Sequence, residues 1–363
     1  MNQESIEVNK PEFCSNTAID KSYPELKTIL ENQLDTFELQ ELIGYGGEST
    51  VYKSIIKKTK HPFTLKVINN QKKHGKNKAE INIGFKLKNK NVIKLYGMKS
   101  IKEKNFDIDC IIMEYSKFGN IRQFQKNFIK RLNLSESTLC YFAYQILKGL
   151  KYCHMSKIAH LDIKPQNIII DDYLNLKLID FSISIDYKNK NKIKLPPNGT
   201  EHYIAPEVKK SEIINTKDLE KVDLYSLGVM LFNLAFGTYP DKMTNEELEE
   251  KFNYLLEEKG SGYSKYFIDF IKILIDKDIN KRINIKQAME HYWIKGADIL
   301  LDEKEKINNA NIFLSHLILV FFKILITMFV INYFNLFFFL TQFNILFIYY
   351  LIIFNFIYLT IFS

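Results

Sequence analysis

The sequence predicts an α+β protein in two lobes, a small antiparallel-sheet lobe with one main helix and then a larger, mostly helical one. Three observations carry that expectation. Strand-like alternation runs from Phe37 through "FELQELIGYGGESTVYKSIIKK", with "FTLKVI" as a third strand. Apolar residues then recur at three- and four-residue spacing at Leu139, Phe142, Ala143, Ile146, Leu147 and Leu150, and similar faces return at 222–236 and 266–276. Finally, the composition changes abruptly at Ile312: from there to Ser363 the chain carries one charge, Lys323, and thirteen of its 28 Phe.

Between the first strands and the helices, a Lys-rich helical stretch runs to about Lys88. "NVIKLYG" and "DIDCIIMEY" then resume strand character. The Asn/Lys-rich run "DYKNKNKIK" at 186–194 reads as a solvated loop, its lysines forming an exposed face. Residues 1–36 are polar and mixed, without a signal pattern, and read as a flexible leader; 296–311 read as a linker.

With 363 residues and 46% hydrophobic content the chain can bury a sizeable core. Its net charge of +8 comes mainly from scattered lysines, which argues against a nucleic-acid stripe. Cys14, Cys110, Cys140 and Cys153 lack metal-ligand spacing and read as reduced thiols. His154 reads as a helix-surface residue.

Gly44, Gly46 and Gly47 lie between two predicted strands, where absent Cβ atoms let backbone amides approach a polyanion; a plain hairpin turn explains them equally well. Lys66 sits mid-strand, where a charge among apolar neighbours needs a partner, and Glu80 on the following helix is a candidate. In "HLDIKPQN", Asp162, Lys164 and Asn167 supply a proton acceptor, a cation and a neutral metal ligand within six residues. Asp180, in "LKLIDFS", adds a second hard-oxygen ligand of the kind Mg²⁺ prefers. Phosphoryl transfer requires that combination.

With these motifs in order, residues 37–295 resemble a eukaryotic protein kinase domain of the serine/threonine type. The further matches are "IIMEYS", "GTEHYIAPE", "VDLYSLGV" and "DINKRINIKQAMEHYWI". The resemblance implies a two-lobed kinase fold in which Lys66, oriented by Glu80, holds the α- and β-phosphates of ATP. It implies that Asp162 accepts the substrate hydroxyl proton, Lys164 steadies the γ-phosphate, and Asn167 and Asp180 hold Mg²⁺. Adenine would lie between Val51 and Ile169, with main-chain bonds from Glu114 and Ser116 and Met113 as gatekeeper. Thr200 would bond Asp162 and Lys164, and Glu207 would pair with Arg282.

The sequence departs from the family pattern at several positions. Ser49 replaces the third loop glycine, and Thr64 replaces the usual Ala beside adenine. Ser182 follows Asp180-Phe181 in place of Gly and is expected to stiffen that hinge. Gly84, four residues past Glu80, stands where a bulky apolar residue is usual. A void is therefore expected there, which Phe85 could rotate to fill. Leu161 replaces the Arg that receives an activation-loop phosphate, and 186–198 contain no Ser or Thr, leaving Tyr187 alone able to carry one. Activity independent of activation-loop phosphorylation is expected.

Residues 312–334 make about 34 Å of helix, enough for a hydrocarbon core of about 30 Å, and 336–362 form a second apolar run. A membrane hairpin or anchor is expected, with the preceding domain facing the cytoplasm. The competing reading is an extension encoded by A/T-rich DNA beyond the true end, which would leave a cytoplasmic protein. The expected function is ATP-dependent phosphorylation of Ser or Thr in protein substrates; a catalytically silent, kinase-like binding module is the alternative.

Overall fold

A computed structural model describes residues 36–45, 49–69, 77–103, 106–129, 134–257 and 263–295. The chain divides into two compact units, 1–124 with 132–295, and 125–131 with 296–363. Of the second unit only a π-helical turn, Gln125–Ile129, is described. The expected tail at 312–363, the leader and the linker therefore lie outside the described residues, as do Gly46 and Gly47. Among the described residues no helix is long and apolar enough to cross a membrane.

The first unit begins with five strands: β1 (Phe37–Tyr45), β2 (Ser49–Ile56), β3 (Pro62–Asn69), β4 (Leu95–Glu103) and β5 (Phe106–Glu114). They form an antiparallel sheet in the order β1-β2-β3-β5-β4. Alternation along β3 decides what each face carries. Leu65 and Val67 join Leu39, Tyr52, Phe63, Ile101, Ile108 and Cys110 in one apolar cluster. Ile68 packs with Ile81 and Ile111 in a second, under helix α1 (Asn77–Lys86), so Lys66 is placed on the side that the helix covers.

Gly84 lies on α1, and the expected void is absent. A Cβ there would overlap Leu95 Cδ1, so Leu95 of β4 occupies the space that a larger helix side chain would take. Phe85 stays exposed and fills nothing. The missing bulk is supplied from the strand.

Helix α2 (Glu136–Met155) starts where the Ser135 hydroxyl accepts from the Thr138 N–H. Helix α3 (Leu219–Phe236) ends at Gly237 in the left-handed region, φ 70°. Where sequence periodicity suggested one apolar face, α3 is buried nearly all round, from Val222 to Ala235. Helices α4 (Asn245–Glu257), α5 (Lys265–Leu274) and α6 (Ile285–Glu290) complete this lobe, α6 opening with a reciprocal Asn284/Gln287 capping box.

Three two-stranded pairs follow: β6 (Ile158–Ala159) with β9 (Ile185–Asp186), β7 (Ile168–Ile170) with β8 (Leu176–Leu178), and β10 (Lys192–Lys194) with β11 (Ile213–Asn215). The run expected to be a plain loop at 186–194 thus contains strand β10, whose Ile193 lies opposite buried Ile214 while Lys192 and Lys194 stay exposed. His154 is also not on the surface; it is buried on α2, facing α3.

Leu95→Ala should cost about 2 kcal/mol, the low end for a buried leucine because Leu95 is only half-buried. Gly84→Leu alone should also destabilise, through overlap with Leu95. The double variant should be more stable than the two single losses added together, as measured by urea denaturation.

Candidate active site

The site is built around the link between α2 and β7. Asp223 of α3 is fully buried, and its carboxylate takes the His160 N–H at 2.9 Å, the Leu161 N–H at 2.7 Å and His154 Nε2 at 2.7 Å. An acid inside an apolar helix is costly unless satisfied in this way. Its donors also hold Leu161 at φ 67°, a left-handed conformation that a leucine adopts only under constraint. Burial pushes the Asp223 carboxyl up, but the hydrogen bond and charge of His154, with His160, outweigh it and the net direction is down.

His160 is held through both ring nitrogens. Its Nε2 lies 3.0 Å from the Ile179 carbonyl, to which it donates, while Nδ1 accepts the Asp162 N–H at 3.3 Å. Its ring lies 4.8 Å from that of buried Phe181.

Asp162 is nine-tenths buried. Its Oδ1 accepts from the Thr200 hydroxyl at 2.9 Å, and its Oδ2 accepts from Lys164 Nζ and Asn167 Nδ2, both at 2.7 Å. Lys164 Nζ also donates to Thr200 Oγ1 at 2.7 Å, closing a ring of contacts. A carboxylate offers about four lone-pair positions, so three donors leave one open. Asn167 Nδ2 bonds the Asp162 carbonyl as well, at 2.9 Å, while its Oδ1 takes no hydrogen bond among the described residues.

Across from this cluster, Lys66 Nζ donates to Glu80 Oε1 at 2.6 Å and Asp180 Oδ1 at 3.0 Å. Burial works against the ammonium, but the two carboxylates outweigh it and hold Lys66 charged. Asp180 moves the other way: burial raises it, while Lys66 and Ser182 pull it below the ordinary carboxylate range. Asp180, not Ser182, takes the positive φ of 64° here. Aspartate tolerates that region, so in this conformation Ser182 imposes no backbone strain.

Several of the expected adenine-side residues lie on neighbouring strands of the sheet. Gly44 pairs with Val51 on β1 and β2, Val51 lies opposite Lys66, and Thr64 lies opposite Met113. Met113 and Glu114 end β5, and the Ser116 hydroxyl donates to the Ile170 carbonyl, next to Ile169. Glu207 and Arg282 form a buried, two-pronged pair at 2.7 and 3.2 Å.

Residues that sequence reasoning did not assign include Asp223, His154 and Lys177. Lys177 on β8 pairs with Glu114 at 3.2 Å and Asp171 at 3.7 Å, bracing the end of β5. A lone acid in an apolar helix was a readable signal for Asp223; no local signal marked the other two.

A sequence profile described as a protein kinase domain matches residues 37–294. The chain belongs to the protein kinase family. It is 30% identical over 275 residues to a probable myosin light chain kinase of Dictyostelium discoideum, covering 73% of this chain and 55% of that protein. It is 29% identical over 271 residues to an Aurora kinase of Dictyostelium discoideum (72% of this chain, 66% of that one). It is 30% identical over 268 residues to the serine/threonine protein kinase OSK3 of rice (72% and 51%). The chain thus spans about half the length of several curated relatives it matches.

Because Asp223 titrates below the ordinary value near 3.9, its stabilisation is complete above that value and is lost as pH falls through the folded one. Asp223→Asn should lower stability by about 3 kcal/mol at neutral pH. The gap from wild type should narrow below about pH 4, followed by urea midpoints at successive pH values.

Proposed function

We propose that the chain is an ATP-dependent protein serine/threonine kinase, transferring the γ-phosphate of ATP to Ser or Thr of protein substrates. One observation carries this reading: Asp162, held by Thr200, Lys164 and Asn167, keeps an open acceptor position. The relatives named above as kinases support the same reading.

The donor set fits a metal–nucleotide complex better than a free metal. Among the described residues no group of three or more His, Cys, Asp or Glu could hold an ion. Asn167 Oδ1 and Asp180 instead offer two hard oxygens, which suits Mg²⁺, an ion that keeps waters and takes phosphate oxygens as further ligands. Bound there, Mg²⁺ would neutralise phosphate charge. Lys66 would hold the α- and β-phosphates while Glu80 fixes its direction, and Lys164 would steady the γ-phosphate. Asp162 would orient the substrate hydroxyl and take its proton. Gly44, Val51, Met113, Glu114, Ser116 and Ile169 would enclose the nucleotide, joined by Gly46 and Gly47.

The silent-module reading rested on Ser49, Ser182 and Gly84. It loses ground because Leu95 fills the space at Gly84 and Ser182 avoids positive φ.

Transfer from ATP·Mg²⁺ to a generic protein substrate should be measurable and should yield phosphoserine and phosphothreonine. Asp162→Asn should lower kcat by about 10²- to 10⁴-fold, the range for a positioned acid or base, while nucleotide affinity stays close to wild type. Activity indifferent to that change, or mainly phosphotyrosine in the product, would overturn the reading.

The composition of residues 312–363 supports a membrane anchor with the kinase domain on the cytoplasmic side. The native protein should then sediment with membranes and resist alkaline carbonate extraction; recovery in the soluble pool would instead favour the cytoplasmic alternative.

A further inference from the structure

We propose that Asp186 and Tyr187 are positioning residues that staple the activation segment in its working arrangement without any phosphate. The proposal rests on the phosphotransfer reading above and assigns its regulation. The two residues are neighbours at the end of β9, and they make their contacts with different parts of the lobes.

Asp186 Oδ2 accepts from Lys86 Nζ at 2.7 Å, and Lys86 is the last residue of α1, the helix that carries Glu80. Asp186 Oδ1 also takes the Lys188 N–H at 3.0 Å, so the carboxylate is held on both oxygens. Its Lys86 hydrogen bond draws the carboxyl below the ordinary range, so the charge persists at neutral pH.

Tyr187 is buried, with its hydroxyl donating to the His154 carbonyl at 3.1 Å and its N–H to the Lys157 carbonyl at 2.9 Å. His154 in turn contacts Asp223, whose carboxylate clasps the main chain of the catalytic loop. Two adjacent side chains thus tie the segment to α1 on one side and to the Asp223 node on the other.

The surroundings leave this task to them. Leu161 precedes Asp162, so the residue next to this carboxylate offers no guanidinium to receive a phosphate, and 186–198 contain no Ser or Thr. The Tyr187 hydroxyl is enclosed and engaged, and a phosphate on it would be driven towards fully buried Asp223. Tyr187 is an anchor and not a switch.

The Lys86–Asp186 pair is partly exposed, so by itself it biases an equilibrium by no more than about fivefold. Its effect should appear as a fall in kcat of up to about fivefold for Asp186→Asn, with the KM for ATP near wild type, because nucleotide contacts are untouched. The charge swap Lys86→Asp with Asp186→Lys should restore activity, which a merely structural loss would not allow. Tyr187→Phe, which removes only the hydroxyl, should lower kcat by about tenfold. Both single variants should speed backbone amide exchange across residues 185–199 in the full chain, a readout that needs no catalysis. Wild-type activity should survive phosphatase treatment. Unchanged amide exchange in both variants, failure of the charge swap to rescue, or collapse of activity on dephosphorylation would overturn the proposal. Absence of all phosphotransfer with altered exchange would sink the kinase reading but leave the staple standing.

Discussion

Lys66 is the point on which the rest of the site depends. It sits on the face of β3 that α1 covers, and its ammonium binds Glu80 of that helix and Asp180 of the other lobe at once. A buried cation with a single acid would be a weak source of stability, since desolvation offsets most of the attraction. With two carboxylates it becomes a register mark: the sheet, the helix and the segment that follows β8 must all be in place for both contacts to form. Removing the ammonium would leave two acids facing each other with little water between them.

The opposite half of the cleft is fixed by a second buried charge. Asp223 holds the main chain of His160 and Leu161, and that geometry sets the direction in which Asp162 emerges. The two halves meet through His160, whose ring lies against Phe181 and whose Nε2 bonds Ile179 just before Asp180. Positioning here is largely main-chain work, which explains how a leucine is tolerated at a left-handed position next to Asp162. Ser182 is accepted after Phe181 because Asp180, not Ser182, takes the positive φ.

Much of this was legible in the sequence because charged residues inside apolar runs have few explanations. Lys66 in "FTLKVI", Asp162 with Lys164 and Asn167, and Asp180 after a strand each announced a need for a partner, and the structure brings them together with Glu80 and Thr200. What escaped were contacts between elements far apart in the chain. Nothing near Gly84 said that Leu95 would lean into its space. Nothing near His154 pointed to Asp223, 69 residues on, so a partly apolar helix end was read as surface. The three-residue strand β10 was hidden because its lysines dominate the pattern and only Ile193 faces inward. Periodicity reports which way a residue points but not what it meets.

The most direct test of this arrangement is a crystal structure of the full chain grown with Mn²⁺ and a non-hydrolysable ATP analogue. An anomalous manganese peak should lie between Asn167 Oδ1 and the Asp180 carboxylate, with Lys66 on the α- and β-phosphates and the terminal phosphate next to Asp162. A peak elsewhere, or Asp162 and Asp180 turned to separate surfaces with nucleotide bound, would contradict the account.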